Sequence, residues 1–285
     1  MDSCTIASNK WMTMKKHIVI LLAFLMLLPL SLVQTSCDKE SVNDFLNKLK
    51  LSNEDIVEGL KKALDIAADG ASSLGSKLNG FLGNKLIALA MPDDLKPVLQ
   101  LIDVSKELPF VGDQLSGGLK SVTDNFVVTL NRAAEASAGK AAPVFKEAIT
   151  KMTITDALGV LQGGDTAATH YLREKTTEGL TTAFKPECEK VIQQVGVTSQ
   201  YKELAAKYNS VMGDAAVAAA VAVAGLDLPK KLETDLPDYV TRRAIHGMYV
   251  LMRGEEQKIR ENPKAYASDI IQKVFGSEEA KVKKN

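Results

Sequence analysis

The side chains able to do chemistry are few and scattered. Beyond residue 37 the histidines are His170 and His246, and the cysteine is Cys188. There is no His-Glu-x-x-His pattern and no cysteine pair, so sequence neighbours supply neither a zinc ligand set nor a histidine-centred triad. His170 shares a helical face with Arg173, Glu174, Thr177 and Thr181, which reads as solvated surface rather than as a general base. Cys188 has no histidine nearby and reads as a partly buried helix thiol. No catalytic residue, metal or cofactor is expected.

Three groupings remain. Gly163-Gly164-Asp165 ahead of a helix could cradle a phosphate on helix amides, but no Lys-Ser/Thr follows as in a P-loop. Capping explains the pair: one of these glycines should take a positive φ and close a helix, with Asp165 capping the next. Arg242, His246, Tyr249, Arg253 and Arg260 follow one another at steps of 4, 3, 4 and 7, along one helix face. Basic groups with an aromatic suit an acidic protein or an anionic lipid surface; the alternative is a solvated face balanced by Glu255, Glu256 and Glu261. Arg132 and Glu135 form either an i,i+3 surface pair or, with Asn131 beside them, a buried polar contact between elements.

Helices must position these groups. Ser52 with Asp55 three residues on is a capping-box start, and Ile56, Leu60, Ala63, Leu64 and Ala67 recur at helical spacing behind it. Residues 76–92 are rich in Gly and Asn, then apolar, and read as a short strand or buried extended segment ending at Pro92. A helix is expected over 93–108, with acids in its first turn. Another starts near Leu119 and breaks at Gly139 and Pro143, followed by a second helix through Met152. Thr153 then caps a third, which ends at the glycine pair. The fourth should bury Ala168, Leu172, Gly179, Leu180 and Ala183 and end at Pro186. The uncharged run from Ala215 to Leu226 is too short to span a bilayer, which takes roughly 20 residues. It reads as a helix packed on the body, or as a surface meeting lipid or a partner. The last long helix, 237–262, turns Val240, Ala244, Met248, Leu251 and Ile259 inward. Pro263 breaks it, and a short amphipathic helix closes at Gly276.

The 285 residues are 46% hydrophobic but only 5% aromatic, the filling of a helical core, and 35 basic residues balance 35 acidic ones. Zero net charge argues against a nucleic-acid binder. Lys15, Lys16 and His17 precede an uncharged apolar run from Ile18 to Val33, the layout of a secretory signal peptide. Met14 makes a more ordinary start than Met1. Gln34-Thr35-Ser36-Cys37 resembles a bacterial lipobox, although Gln34 stands where Leu or Val is usual. Ordinary cleavage near Thr35–Ser36 is the rival. Removing residues 1–37 leaves a slight acidic excess and one cysteine, so the mature chain relies on its core rather than on a disulfide.

The sequence-level organisation is therefore a signal peptide over 1–36, a tether over 37–51, an all-α compact domain of about eight helices over 52–276, and a disordered tail over 277–285. Within that domain the NRAAE run at 131–135, Pro143-Val144-Phe145, Met152-Thr153 with Asp156-Ala157-Leu158, the GGD turn, and Phe184-Lys185-Pro186 resemble the DUF4197 family. Val195-Gly196-Val197, Tyr208-Asn209, Tyr239-Val240 and Val274-Phe275-Gly276 continue the likeness in order. It runs from about Leu51 to Gly276 and implies an exported bacterial protein, with no catalytic residues to carry over. The expectation is a non-enzymatic cell-envelope lipoprotein, anchored in the membrane through Cys37 and facing the periplasm or the outside. It would bind a partner protein or an envelope component. The alternative is a carrier of an apolar ligand between helices; an enzyme ranks last.

Overall fold

A computed structural model describes residues 51–109 and 112–281. The residues expected to form a signal peptide, Cys37 and nearly all of the expected tether lie outside the described residues, as do residues 282–285. Among the described residues there are nine α-helices and no strand. In chain order they are α1 (Asn53–Gly75), α2 (Pro97–Lys106), α3 (Gly112–Lys151), α4 (Ala157–Gln162), α5 (Ala167–Gln194), α6 (Val197–Met212), α7 (Ala215–Val223), α8 (Leu236–Glu261) and α9 (Asp269–Phe275). Short 3-10 turns at Asp93–Leu95 and Pro263–Ala265 precede α2 and α9.

The capping box forms as the sequence requires: Asp55 N–H donates to Ser52 Oγ (3.0 Å) and Ser52 N–H donates to Asp55 Oδ2 (3.1 Å). From there α1 buries Leu60, Ala63, Leu64, Ala67 and Ala71. The helix expected over 93–108 is a 3-10 turn plus the shorter α2, because Pro97 takes the first helical position.

The centre of the fold is α3, which packs on α1, α2, α5, α6 and α8. The sequence predicts a break at Gly139 and Pro143; instead one helix of 40 residues runs through both. An interior proline costs about 3 kcal/mol. Here Phe145 and Ile149 beyond it are fully buried, each contributing about 1.5–3 kcal/mol, so continuation wins. Ser72 Oγ also donates to the Ala138 carbonyl (2.7 Å), beside the Gly139 carbonyl that Pro143 deprives of its donor. The same correction applies at Pro186: α5 continues to Gln194, with Cys188, Val191 and Ile192 buried beyond the proline. Thr153 does not cap α4. Asp156 does, accepting from Gly159 N–H at 2.9 Å.

The Ala/Val run becomes α7, capped by Asp214. Val217 and Val221 face inward, while Val223 is 90% exposed. It therefore packs along one stripe and leaves the rest uncharged and wet. α8 buries Val240, Ala244, Met248 and Ile259 as expected, with Leu251 half-buried. After α9 the chain turns: Ser277 Oγ donates to the Val274 carbonyl (2.7 Å) and accepts from Ala280 N–H (3.2 Å).

Candidate functional site

Three arrangements emerge, and two of them serve the fold. The first is the NRAAE run on α3. Asn131 is fully buried; its Oδ1 accepts from Leu89 N–H and its Nδ2 donates to the Leu89 carbonyl, both at 2.8 Å. Glu135, also buried, accepts from the N–H groups of Phe81 (3.2 Å) and Leu82 (3.3 Å). Arg132 bridges Glu135 (2.5 Å) and the Asn79 side chain (2.8 Å). Of the two readings left open for Arg132 and Glu135, the buried contact holds. Residues 76–92 need it: Ile87, Leu89 and Met91 point inward in alternation, yet no strand pairs with them. Side chains of α3 take the place of a neighbouring strand. Gly247 on α8 completes the fit, since a Cβ there would lie 2.4 Å from the Phe81 ring.

The second arrangement surrounds the glycine turn. Neither Gly163 nor Gly164 has a positive φ; Gly163 is extended at φ −65°, ψ 177°, and the positive-φ glycines are Gly196 and Gly225. Gly163 is required for closeness instead, because a Cβ there would approach the Ala167 Cβ to 2.6 Å. Asp165 does not cap α5 either. Residue 166 is the N-cap and makes no side-chain bond. The cap comes from 88 residues away: Glu256 of α8, 1% exposed, accepts from Ala168 N–H (2.9 Å), Thr169 N–H (2.7 Å) and Thr169 Oγ1 (2.6 Å). A carboxylate at a helix N-terminus satisfies orphan amides and meets the positive end of the dipole. Arg260 pairs with Glu256 (2.8 Å) and donates to the Leu161 (2.7 Å) and Val160 (3.2 Å) carbonyls at the end of α4. One ion pair thus caps both helices flanking the turn, and its carboxylate takes the amides of Ala168 and Thr169 that a phosphate would need.

This removes Arg260 from the basic face read off the sequence, and the rest of that face divides. Tyr249 is buried, edge-on to Phe145 at 5.4 Å between centroids, with its hydroxyl by Thr176 and Thr177. Arg242 is exposed but paired with Asp238 (2.9 Å) and Glu178 (3.5 Å). Arg242, Tyr249 and Arg253 are therefore not exposed together. Asp238 sits one helical turn before Arg242, on the same face. His246 remains exposed and Arg253 half-buried. The structure adds Arg173 of α5 and Arg243 to them: partial burial first, then Arg243, Arg253 and Arg173, disfavours protonation of His246 and lowers its pKa. The face of His170 is not wholly solvated, since Thr181 is buried and Arg173 half-buried. Cys188 is fully buried, and burial pushes its thiol pKa up.

The third arrangement is a groove of about 500 Å³ between the end of α3 and the middle of α5. Val144, Ala148 and Met152 form one wall; Gly179, Leu180 and Ala183 form the other. The sequence predicts Gly179 and Ala183 as core, but both are exposed, because small side chains there leave the groove unfilled. Charge sits at its rim: Lys151 pairs with Glu147 at 2.5 Å, and Lys175 lies 5.6 Å from the centre of the Tyr171 ring.

Fold and surface define an all-α domain in which conserving the architecture occupies most of the polar side chains, and a groove and a basic seam are left open to the outside. The chain belongs to the DUF4197 family, described as a protein of unknown function, whose model matches residues 50–276. No curated protein and no solved structure matches it.

Proposed function

We propose that the protein is a non-enzymatic lipoprotein of the bacterial cell envelope that binds an elongated apolar group of an envelope component in the α3–α5 groove. The groove is the observation that carries the reading: its volume of about 500 Å³ falls in the range of small-molecule sites, roughly 300–1,000 Å³, and its walls are apolar. An acyl chain fits these walls, and Lys175 at the rim suits an anionic end group. A carrier that wholly encloses its ligand fits less well, since the groove opens to the surface. The anchor is argued from the signal layout and Cys37.

Gly179 provides the test. A Cβ at this helical position meets nothing within 4 Å, so Gly179→Phe fills the groove without disturbing the core. Wild-type protein should bind a fluorescent fatty acid saturably, and Gly179→Phe should weaken that binding at least tenfold with an unchanged melting temperature. A wild type that does not bind, or a variant that binds equally well, removes the groove from the account. For the anchor, Cys37→Ala should move the protein from the membrane to the soluble fraction.

A further inference from the structure

Antiparallel pairing of α5 and α8 places like charges at one level of the seam. Thr169 is tied to Glu256 at one level of the seam, and Thr177 meets Tyr249 at the next. Arg173 stands four residues from each threonine, and Arg253 stands four after Tyr249 and three before Glu256. At 1.5 Å per residue both lie about 4.5–6 Å along the axis from the same two contacts, so they share one level. His246 lies one helical turn before Tyr249, at the exposed edge.

The surrounding acids are already engaged. Glu174 lies 3.7 Å from His170, Glu178 holds Arg242, Glu255 holds Lys258 at 2.6 Å, and Glu256 holds Arg260. Among the described residues no carboxylate reaches Arg173 or Arg253. Arg253 Nε is moreover buried without a hydrogen-bond partner, and so is Arg243 Nε. Buried unpaired donors are rare and costly, and two guanidinium groups at one level add repulsion. A dianion between them relieves that repulsion. Two planar forks from opposite helices and an imidazole edge call for acceptors in at least three directions. A carboxylate presents two oxygens in one plane, whereas a phosphate presents them tetrahedrally.

We propose that the α5–α8 seam binds a phosphate-type oxyanion between Arg173 and Arg253, with His246 at the rim. This site is separate from the α3–α5 groove and does not depend on it. The phosphate belongs either to a free ion or to the head group of an anionic lipid.

The test uses the full chain in detergent, with inorganic phosphate as probe. Phosphate should bind saturably and raise the pKa of His246 followed by NMR. Arg173→Gln and Arg253→Gln should each weaken binding at least tenfold, while Lys120→Gln, on the exposed side of α3, leaves it unchanged. In phosphate-free buffer both seam variants should melt no lower than wild type, because repulsion has been removed, which separates loss of binding from loss of fold. A second arm measures retention on vesicles of phosphatidylglycerol against phosphatidylcholine. Arg253-dependent retention on phosphatidylglycerol alone, with or without measurable binding of free phosphate, assigns a lipid head group. Phosphate binding without retention assigns a free oxyanion. Absence of both, or binding that survives both glutamine variants, overturns the proposal.

Discussion

Glu256→Ala tests the clamp around the glycine turn. The substitution removes a buried carboxylate that accepts three hydrogen bonds at the start of α5 and one from Arg260. Two backbone amides lose their cap, and the Arg260 guanidinium, whose side chain is 9% exposed, loses its counter-charge. Breaking a buried pair from one side costs about 3–5 kcal/mol. The arginine keeps its two carbonyl acceptors on α4, which places the expectation in the lower half of that range, about 3–4 kcal/mol. For a domain of this size each kcal/mol lowers the midpoint by roughly 2–4 °C, so melting should fall by about 6–16 °C. Urea unfolding followed by circular dichroism measures the free energy. Replacing both partners with apolar residues, Glu256→Leu with Arg260→Met, should cost less than Glu256→Ala alone, since no charge is left stranded. A loss below about 1 kcal/mol for Glu256→Ala would refute the reasoning, because it would mean that solvent or another donor replaces the cap freely.

Further outcomes follow from the same geometry. Asn131→Ala strands the N–H and carbonyl of Leu89 in the core and should cost about 2–4 kcal/mol, with hydrogen exchange rising first over residues 76–92. Gly163→Ala should destabilise by about 1–3 kcal/mol through overpacking against Ala167, whereas Gly164→Ala, with no atom within 4 Å of its added Cβ, should be near neutral; chemical denaturation compares them. Gly179→Ala, in an open helical position, should stabilise by about 0.5–1 kcal/mol. Because the folded chain holds the pKa of His246 below its unfolded value of 6.5, the unfolded chain takes up more protons as pH falls. Stability contributed by neutral His246 is present above 6.5 and declines below it; His246→Gln should flatten that slope in melting curves recorded from pH 8 to 5.

Much of the helical content is legible in local sequence, because capping and period are local. Ser52 and Asp55 set the start of α1, and the inward stripe of α8 follows from its spacing alone. What the sequence misleads about is where long-range packing overrides a local rule. Pro143 and Pro186 carry the signature of a helix end, yet burial of Phe145, Ile149 and Cys188 beyond them keeps the helices going. Glu256 gives no local sign that it caps α5, since the amides it serves lie 88 and 87 residues away. Tyr249 and Arg253 share a face by spacing, but the position of α5 decides which is buried and which stands level with another arginine. Arg173 escapes notice for the same reason: its neighbours in sequence describe a wet helix, and its neighbours in space are on α8.

The central claim is that this domain binds an apolar group in the groove between α3 and α5. The most direct measurement is mass spectrometry of lipids extracted from the protein purified out of its own membrane fraction, alongside Gly179→Phe prepared identically. A species bearing an acyl chain should accompany the wild type at near-stoichiometric ratio and be depleted at least tenfold in the variant. Equal amounts in both, or none in the wild type, would contradict the account.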